Sequence, residues 1–156
     1  MTRSEKDLAG RTYPGVPRVG VGAFVFKDDR VLLVKRGRPP GKGLWAIPGG
    51  LVNLGETLQE AAERELREET SVVIRARAPI HAFDMIEYDE AGQIRFHYVI
   101  VDVQAEYVAG EPTAADDVSE AQWISRSELD DLPVSRSTLA ALKRVGPWAT
   151  WLDDYP

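Results

Sequence analysis

The apolar positions of the chain fall into several short runs of strand character and one long stretch of helical spacing. Val19–Phe26 and Val31–Val34 are rich in β-forming residues, and Lys27-Asp28-Asp29-Arg30 separates them. This predicts a hairpin whose turn contains no glycine. Gly37–Gly43 carries three glycines and two prolines, with Arg36, Arg38 and Lys42 around them, and reads as an exposed basic loop. Trp45–Ile47 predicts a short strand stopped by Pro48-Gly49-Gly50. Thr57 and Glu60 then form the Thr-x-x-Glu pattern of a capping box, which satisfies two backbone donors at a helix start. Leu58, Ala61, Ala62, Glu65, Leu66 and Glu69 follow at helical spacing, with Leu58, Ala62 and Leu66 as the buried stripe. Val72–Ile74 begins the next strand. His81–Glu87 and Ile94–Val103 flank a polar hairpin loop. Tyr98–Val101 is apolar on both faces, which predicts an inner strand covered on both sides. Gly110–Asp117 reads as a loop, Trp123-Ile124 as a short strand, Ser125–Glu128 as a second capping box and Ser137–Val145 as a last helix. The order implies an α/β domain with helices on a mixed sheet. Residues 1–17 are polar, hold Gly10, Pro14, Gly15 and Pro17, and read as a flexible arm, leaving 18–156 as one domain.

Composition narrows the chemistry. A chain of 156 residues suits one core. The formal net charge of −6 is the wrong sign for binding nucleic acid through counterion release. No cysteine is present, which removes disulfides, thiolate metal sites and thiol nucleophiles. The two histidines, His81 and His97, do not make a three-ligand zinc site, and His97 reads as an ordinary sheet residue. Any metal must be held by carboxylates, for which Mg²⁺ or Mn²⁺ is the natural ion. No run is apolar enough to span a membrane, and the polar N-terminus lacks secretory character, so a cytoplasmic location is expected.

Glu65, Glu68 and Glu69 stand at i, i+3 and i+4 and share one helical face. Alone, such a face is ordinarily a solvated surface. Its spacing from the preceding loop changes the reading. Gly50 is followed by five residues, Glu56, seven residues, Arg64-Glu65-Leu66, one residue, and Glu68-Glu69. This resembles the signature of the Nudix hydrolases, Gly-x5-Glu-x7-Arg-Glu-aliphatic-x-Glu-Glu-x-Gly-aliphatic, with Ser71 in place of the last glycine. The hairpin, the Trp45–Gly50 lead-in and Trp123 extend the resemblance over residues 19–145.

The resemblance implies an α/β/α sandwich with a mixed central sheet. It implies a hydrolase that uses Mg²⁺, with Mn²⁺ as a substitute, to cleave a pyrophosphate link. Glu65, Glu68, Glu69 and the Gly49 carbonyl would hold metal, and Glu65 or Glu68 would orient the attacking water. Arg64 would orient carboxylates and Glu56 would support the site, although a carboxylate at Glu56 also suits a helix N-terminus. A polyanionic substrate makes sense of an acidic face only with divalent cations between them. Ser71 would sit at a left-handed helix cap, where glycine is better suited.

Substrate contacts are less marked. Arg36, Arg38 and Lys42 are candidates for phosphate, or are simply a solvated loop. Phe83, Tyr88 and Phe96 are candidates for stacking a base, or are packing residues. Glu120, with Asp116, Asp117 and Glu111 as competitors, is a candidate acid from the loop before Trp123. Arg38–Trp45 and Gly110-Glu111-Pro112 are similar to family members that act on ADP-ribose, which favours that substrate. Nucleoside triphosphates and dinucleoside polyphosphates are the alternatives, and a non-catalytic nucleotide-binding module is the alternative of a different class. The aromatic tail with Trp148, Trp151 and Tyr155 would pack on something, a second copy of the chain included.

Overall fold

A computed structural model describes residues 10–148. Seven strands form one mixed sheet: β1 (Arg18–Lys27), β2 (Arg30–Arg36), β3 (Trp45–Ala46), β4 (Gly49–Leu51), β5 (Val73–Tyr88), β6 (Ile94–Ala109) and β7 (Val118–Ser125). The main path runs β3-β2-β1-β6-β5, with β4 also on β1 and β7 also on β2. β1 and β6 are parallel, from Arg18 opposite Tyr98 to Phe26 opposite Glu106. The named strands otherwise pair antiparallel. The glycine-free hairpin turn is made by Asp28 and Asp29, both at positive φ, which short polar side chains tolerate.

Alternation along β1 supplies both layers. Val21, Ala23 and Val25 face helix α1 (Leu58–Thr70), whose Ala61, Ala62 and Leu66 are fully buried against them. Phe24 points the other way, with Val31, Leu33, Trp45 and Ile124. Short helices α2 (Arg126–Leu129) and α3 (Arg136–Leu142) cover that side through Leu129, Ala141 and Leu142. The result is the expected helices-on-both-faces sandwich. Trp148 meets the Phe26 ring edge-on at 5.5 Å; Trp151 and Tyr155 lie outside the described residues.

Several elements differ from the sequence pattern. β5 is one strand of 16 residues, where the sequence suggests two. Its pairing with β6 is irregular around Pro79, because proline lacks a ladder donor and the strand absorbs it with bulges. β7 begins at Val118, so Glu120 is a strand residue and not a loop one. Gly49 and Gly50 do not turn the chain. They lie in β4, opposite Gly22 and Val21, and the left-handed glycine of the following loop is Gly55. β6 is an inner strand, but Ile100 opens on a cleft instead of being covered. Residues 10–17 lie against the β5–β6 hairpin. There the Tyr13 N–H donates to the Arg95 carbonyl at 2.8 Å, and its hydroxyl donates to Asp89 at 3.0 Å. Among the described residues no helix is long and apolar enough to cross a membrane.

Candidate active site

Thr57 caps α1 as the sequence indicates, with both bonds of the capping box formed to Glu60. The helix ends at Ser71, which adopts the left-handed conformation at φ 62° and donates its N–H to the Arg67 carbonyl. Between these caps, Arg64 ties the helix to the loop before it. Its Nε and Nη2 grip both oxygens of Glu56, at 2.5 and 2.9 Å, and Nη2 also donates to the Leu51 carbonyl at 2.9 Å. Nη1 donates to Glu65 at 2.7 Å and to Glu68 at 3.3 Å. A planar fork of donors suits this task in a way a lysine would not. The Arg64 guanidinium holds the Glu56 carboxyl down at about 2, so the pair stays charged at neutral pH.

Glu65 and Glu69, one turn apart, line a cleft of about 360 Å³. Glu65 lies directly over Gly50, where any Cβ would overlap its carboxylate. Glu69 is 7% exposed and accepts from the Gly49 N–H at 3.2 Å. Burial pushes the Glu69 carboxyl up to about 8, and the neighbouring Glu65 charge adds to this. Burial also raises Glu65, against the pull of Arg64. A buried and a half-buried carboxylate side by side are a site short of positive charge. Hard oxygen donors on one rigid helix beside a glycine strand fit Mg²⁺ or Mn²⁺ in chemistry. Among the described residues no three carboxylates or imidazoles are gathered round one point. Glu68 is on the same helix face but turns to Arg64, away from the cleft.

Basic and apolar residues complete the lining of the cleft. Arg36 and Arg38 line the cleft. Arg36 Nε donates to the Pro40 carbonyl at 2.7 Å, and Arg38 pairs with Asp117 at 2.8 Å. Phe83 is on the cleft beside Met85, Tyr98 and Ile100. The floor is opened by Gly20 and Gly22, since a side chain on β1 there would fill it.

Among the candidates for substrate contact, Lys42, Tyr88, Phe96 and Glu120 do not line this cleft. Lys42 is exposed in its loop. Tyr88 is 60% exposed near the tip of the β5–β6 hairpin. Glu120 pairs with Lys35 along the β2–β7 ladder at 3.6 Å. Phe96 is buried and stacked on Tyr98, a packing residue. Of the competing acids, Asp117 alone reaches the cleft.

Asp102 and Arg11 are not among the residues that the sequence singles out, and His81 figures there only as one of two histidines too few for a zinc site. Asp102 is 2% exposed, borders the cleft and lies 3.1 Å from His81 Nδ1. Burial raises its pKa, and His81 opposes the rise. A charged residue inside the apolar run of β6 was the available signal. Arg11, in the polar lead-in, gave none.

The comparisons with known proteins fit this geometry. The chain matches the NUDIX domain family profile over residues 16–144. It is 36% identical over 117 residues to an ADP-ribose pyrophosphatase of Methanocaldococcus jannaschii, covering 75% of this chain and 65% of that protein, a little under two thirds of its length. The fold resembles a MutT NUDIX hydrolase from Burkholderia pseudomallei with TM-score 0.70 and 34% identity, over 84% of this chain and 99% of the other. It also resembles the NUDIX domain of Shewanella oneidensis NrtR complexed with ADP ribose, with TM-score 0.64 and 26% identity, over 92% and 96%.

Proposed function

Because this chain belongs to the Nudix family, we propose that it hydrolyses the pyrophosphate link of a nucleoside diphosphate joined to a second moiety, with ADP-ribose as the leading substrate. The observation that carries this reading is the charge make-up of one cleft, which is lined by Glu65 and Glu69 together with Arg36 and Arg38. A diphosphate needs positive charge on both sides. Guanidiniums supply it directly, and the acidic wall supplies it once loaded with a divalent cation. The apolar stretch with Phe83, Met85 and Ile100 suits a base or sugar attached to those phosphates. The relative from M. jannaschii and the ADP-ribose complex of the NrtR domain favour ADP-ribose over a nucleoside triphosphate or a dinucleoside polyphosphate.

Glu65, Glu69 and the Gly49 backbone are the residues to hold Mg²⁺ or Mn²⁺, with Glu68 on the same helix face as a further oxygen donor. When bound, the ion polarises a phosphoryl oxygen, favours ionisation of water and offsets charge on the leaving phosphate. The chain's own groups do the rest. Arg64 fixes the Glu65 and Glu68 carboxylates, and Glu56 fixes Arg64. Glu68 or Glu65 accepts a proton from the attacking water. Arg36 and Arg38 orient the phosphates.

The test is a turnover screen of ADP-ribose, nucleoside triphosphates and dinucleoside polyphosphates with Mg²⁺ and with Mn²⁺. AMP plus ribose 5-phosphate is the expected product pair, and it should vanish in Glu68→Gln/Glu69→Gln. Turnover that survives the double substitution rules out the ligand assignment. A second reading, a nucleotide-binding module without turnover, draws on Arg64 engaging both Glu65 and Glu68. Tight binding of ADP-ribose without metal-dependent hydrolysis would favour it.

A further inference from the structure

The segment before β1 carries an arginine whose position calls for an anion. Arg11 lines the cleft. Its Nε is buried and has no hydrogen-bond partner among the described residues. A charged donor left unmet out of water is costly, and the side chain to which it belongs borders a cleft whose occupant can offer an acceptor. The segment is held there on both sides of Arg11. Arg18 Nη1 donates to the Gly10 carbonyl at 2.6 Å, and Tyr13 is tied to Arg95 and Asp89 across the hairpin.

The surroundings say what the acceptor is. Arg11 is close enough to Glu65, Arg36 and Tyr98 for its charge to act on all three, and its side chain bonds the Tyr98 side chain. Glu65 is not waiting for it, since Arg64 already donates to that carboxylate at 2.7 Å. Arg36 carries the same charge as Arg11, and although Glu69 and Asp117 also act on Arg36, an anion held between the two guanidiniums relieves their repulsion. Two guanidiniums and two carboxylates able to take a cation, gathered in one cleft, describe a slot for a group with anionic oxygens on several sides.

We propose that Arg11 is a substrate-binding residue, which the segment ahead of β1 lays over the cleft to donate to phosphoryl oxygens of a diphosphate ester. This rests on the hydrolase reading above and adds to it a phosphate ligand from outside the loop-helix motif. Arg11 acts on binding and leaves the bond-breaking step to the groups on α1. Its loss therefore falls on KM and on affinity, and leaves kcat nearly untouched.

The full chain and its Arg11→Gln and Arg11→Lys variants should be titrated, with Mg²⁺ present, with an ADP analogue. In this analogue a methylene group replaces the bridging oxygen, so binding is read without turnover. Adenosine serves as the phosphate-free ligand, and thermal melting confirms that each variant is folded. The expected result is analogue binding weakened about tenfold in Arg11→Gln, the size of one lost charge-assisted contact. Arg11→Lys should fall between, because it keeps the charge but not the fork. Adenosine binding should not change, and KM for ADP-ribose should rise in step. If the folded variants bind the analogue as tightly as the parent, Arg11 is not a phosphate ligand and the hydrolase reading stands. If the parent chain neither binds the analogue nor hydrolyses any diphosphate, both readings are overturned.

Discussion

Gly49 and Gly50 stand next to each other in β4 and are glycine for different reasons. At Gly49 an added Cβ would run into the Val21 carbonyl of the paired strand. The backbone has nowhere to go, so Gly49→Ala should pull β4 from β1 and destabilise the fold. At Gly50 the atoms nearest to an added Cβ are those of the Glu65 carboxylate, the far end of a flexible side chain. That group can swing away cheaply. Gly50→Ala should therefore melt within a few degrees of the parent but lose on the order of a hundredfold in turnover, the usual effect of misplacing a catalytic group by about 1 Å. Equal turnover in parent and Gly50→Ala would mean that the Glu65 position over this glycine is unimportant. Gly22 adds a third case, because a Cβ there would lie 2.6 Å from Asp102 Oδ1 and 2.7 Å from Ile47 Cδ1. In all three the residue is small because something approaches it, and none of the three is at positive φ.

At the scale of elements, α1 and its flanks form a unit whose ends are locally encoded. Thr57 and Glu60 close the N-terminus, and Ser71 closes the C-terminus in a conformation that costs a side-chain-bearing residue about 1 kcal/mol relative to glycine. Ser71→Gly should raise the melting temperature by about 2–4 °C and leave metal dependence unchanged. A lower melting temperature would show that the serine does something there beyond tolerating the turn. Such local codes explain why this helix, its caps and the hairpin of β1 and β2 were legible in the sequence. Other elements were not, because long-range pairing decides them. Pro79 looks like a strand end until β6 is alongside to carry β5 past it. Glu120 looks like a loop acid until β7 pairs with β2 from Val118 onwards. Asp102 reaches the cleft only because parallel pairing sets it beside Gly22, and Arg11 only because Tyr13 docks on the far hairpin. The acidic half of the candidate site is a single helix and could be read from spacing. The basic half is drawn from the start of the chain, the end of β2 and the loop after it, which no spacing rule links.

For the molecule as a whole, the central point is where its negative charge is stored. The formal net charge is −6, and part of it lies on buried carboxylates of α1, a helix whose other face holds one of the two cores. Burial and the neighbouring Glu65 charge raise the Glu69 carboxyl to about 8, so at neutral pH the folded chain holds a proton there that the unfolded chain, which solvates and separates both groups, gives up; this is a cost carried by the folded chain alone. A divalent cation that binds these groups in the native state removes that cost and stabilises the fold by linkage. At a concentration a hundredfold above its dissociation constant, the gain is about 2.7 kcal/mol, or roughly 5–10 °C for a chain of this size. Mg²⁺ should therefore raise the melting temperature by several degrees, and a chelator should reverse the rise. In Glu65→Gln/Glu69→Gln the response should disappear, while the metal-free melting temperature should be no lower than the parent's, since a buried carboxyl that ionises only at a cost has become a neutral amide and Arg64 keeps Glu56 and Glu68. Differential scanning calorimetry at fixed ionic strength, with Na⁺ replacing Mg²⁺ in the reference, separates this site effect from general screening of surface charge. If Mg²⁺ shifts the double variant as much as the parent, the ion is binding elsewhere on the acidic surface and the α1 wall of the cleft is not its site.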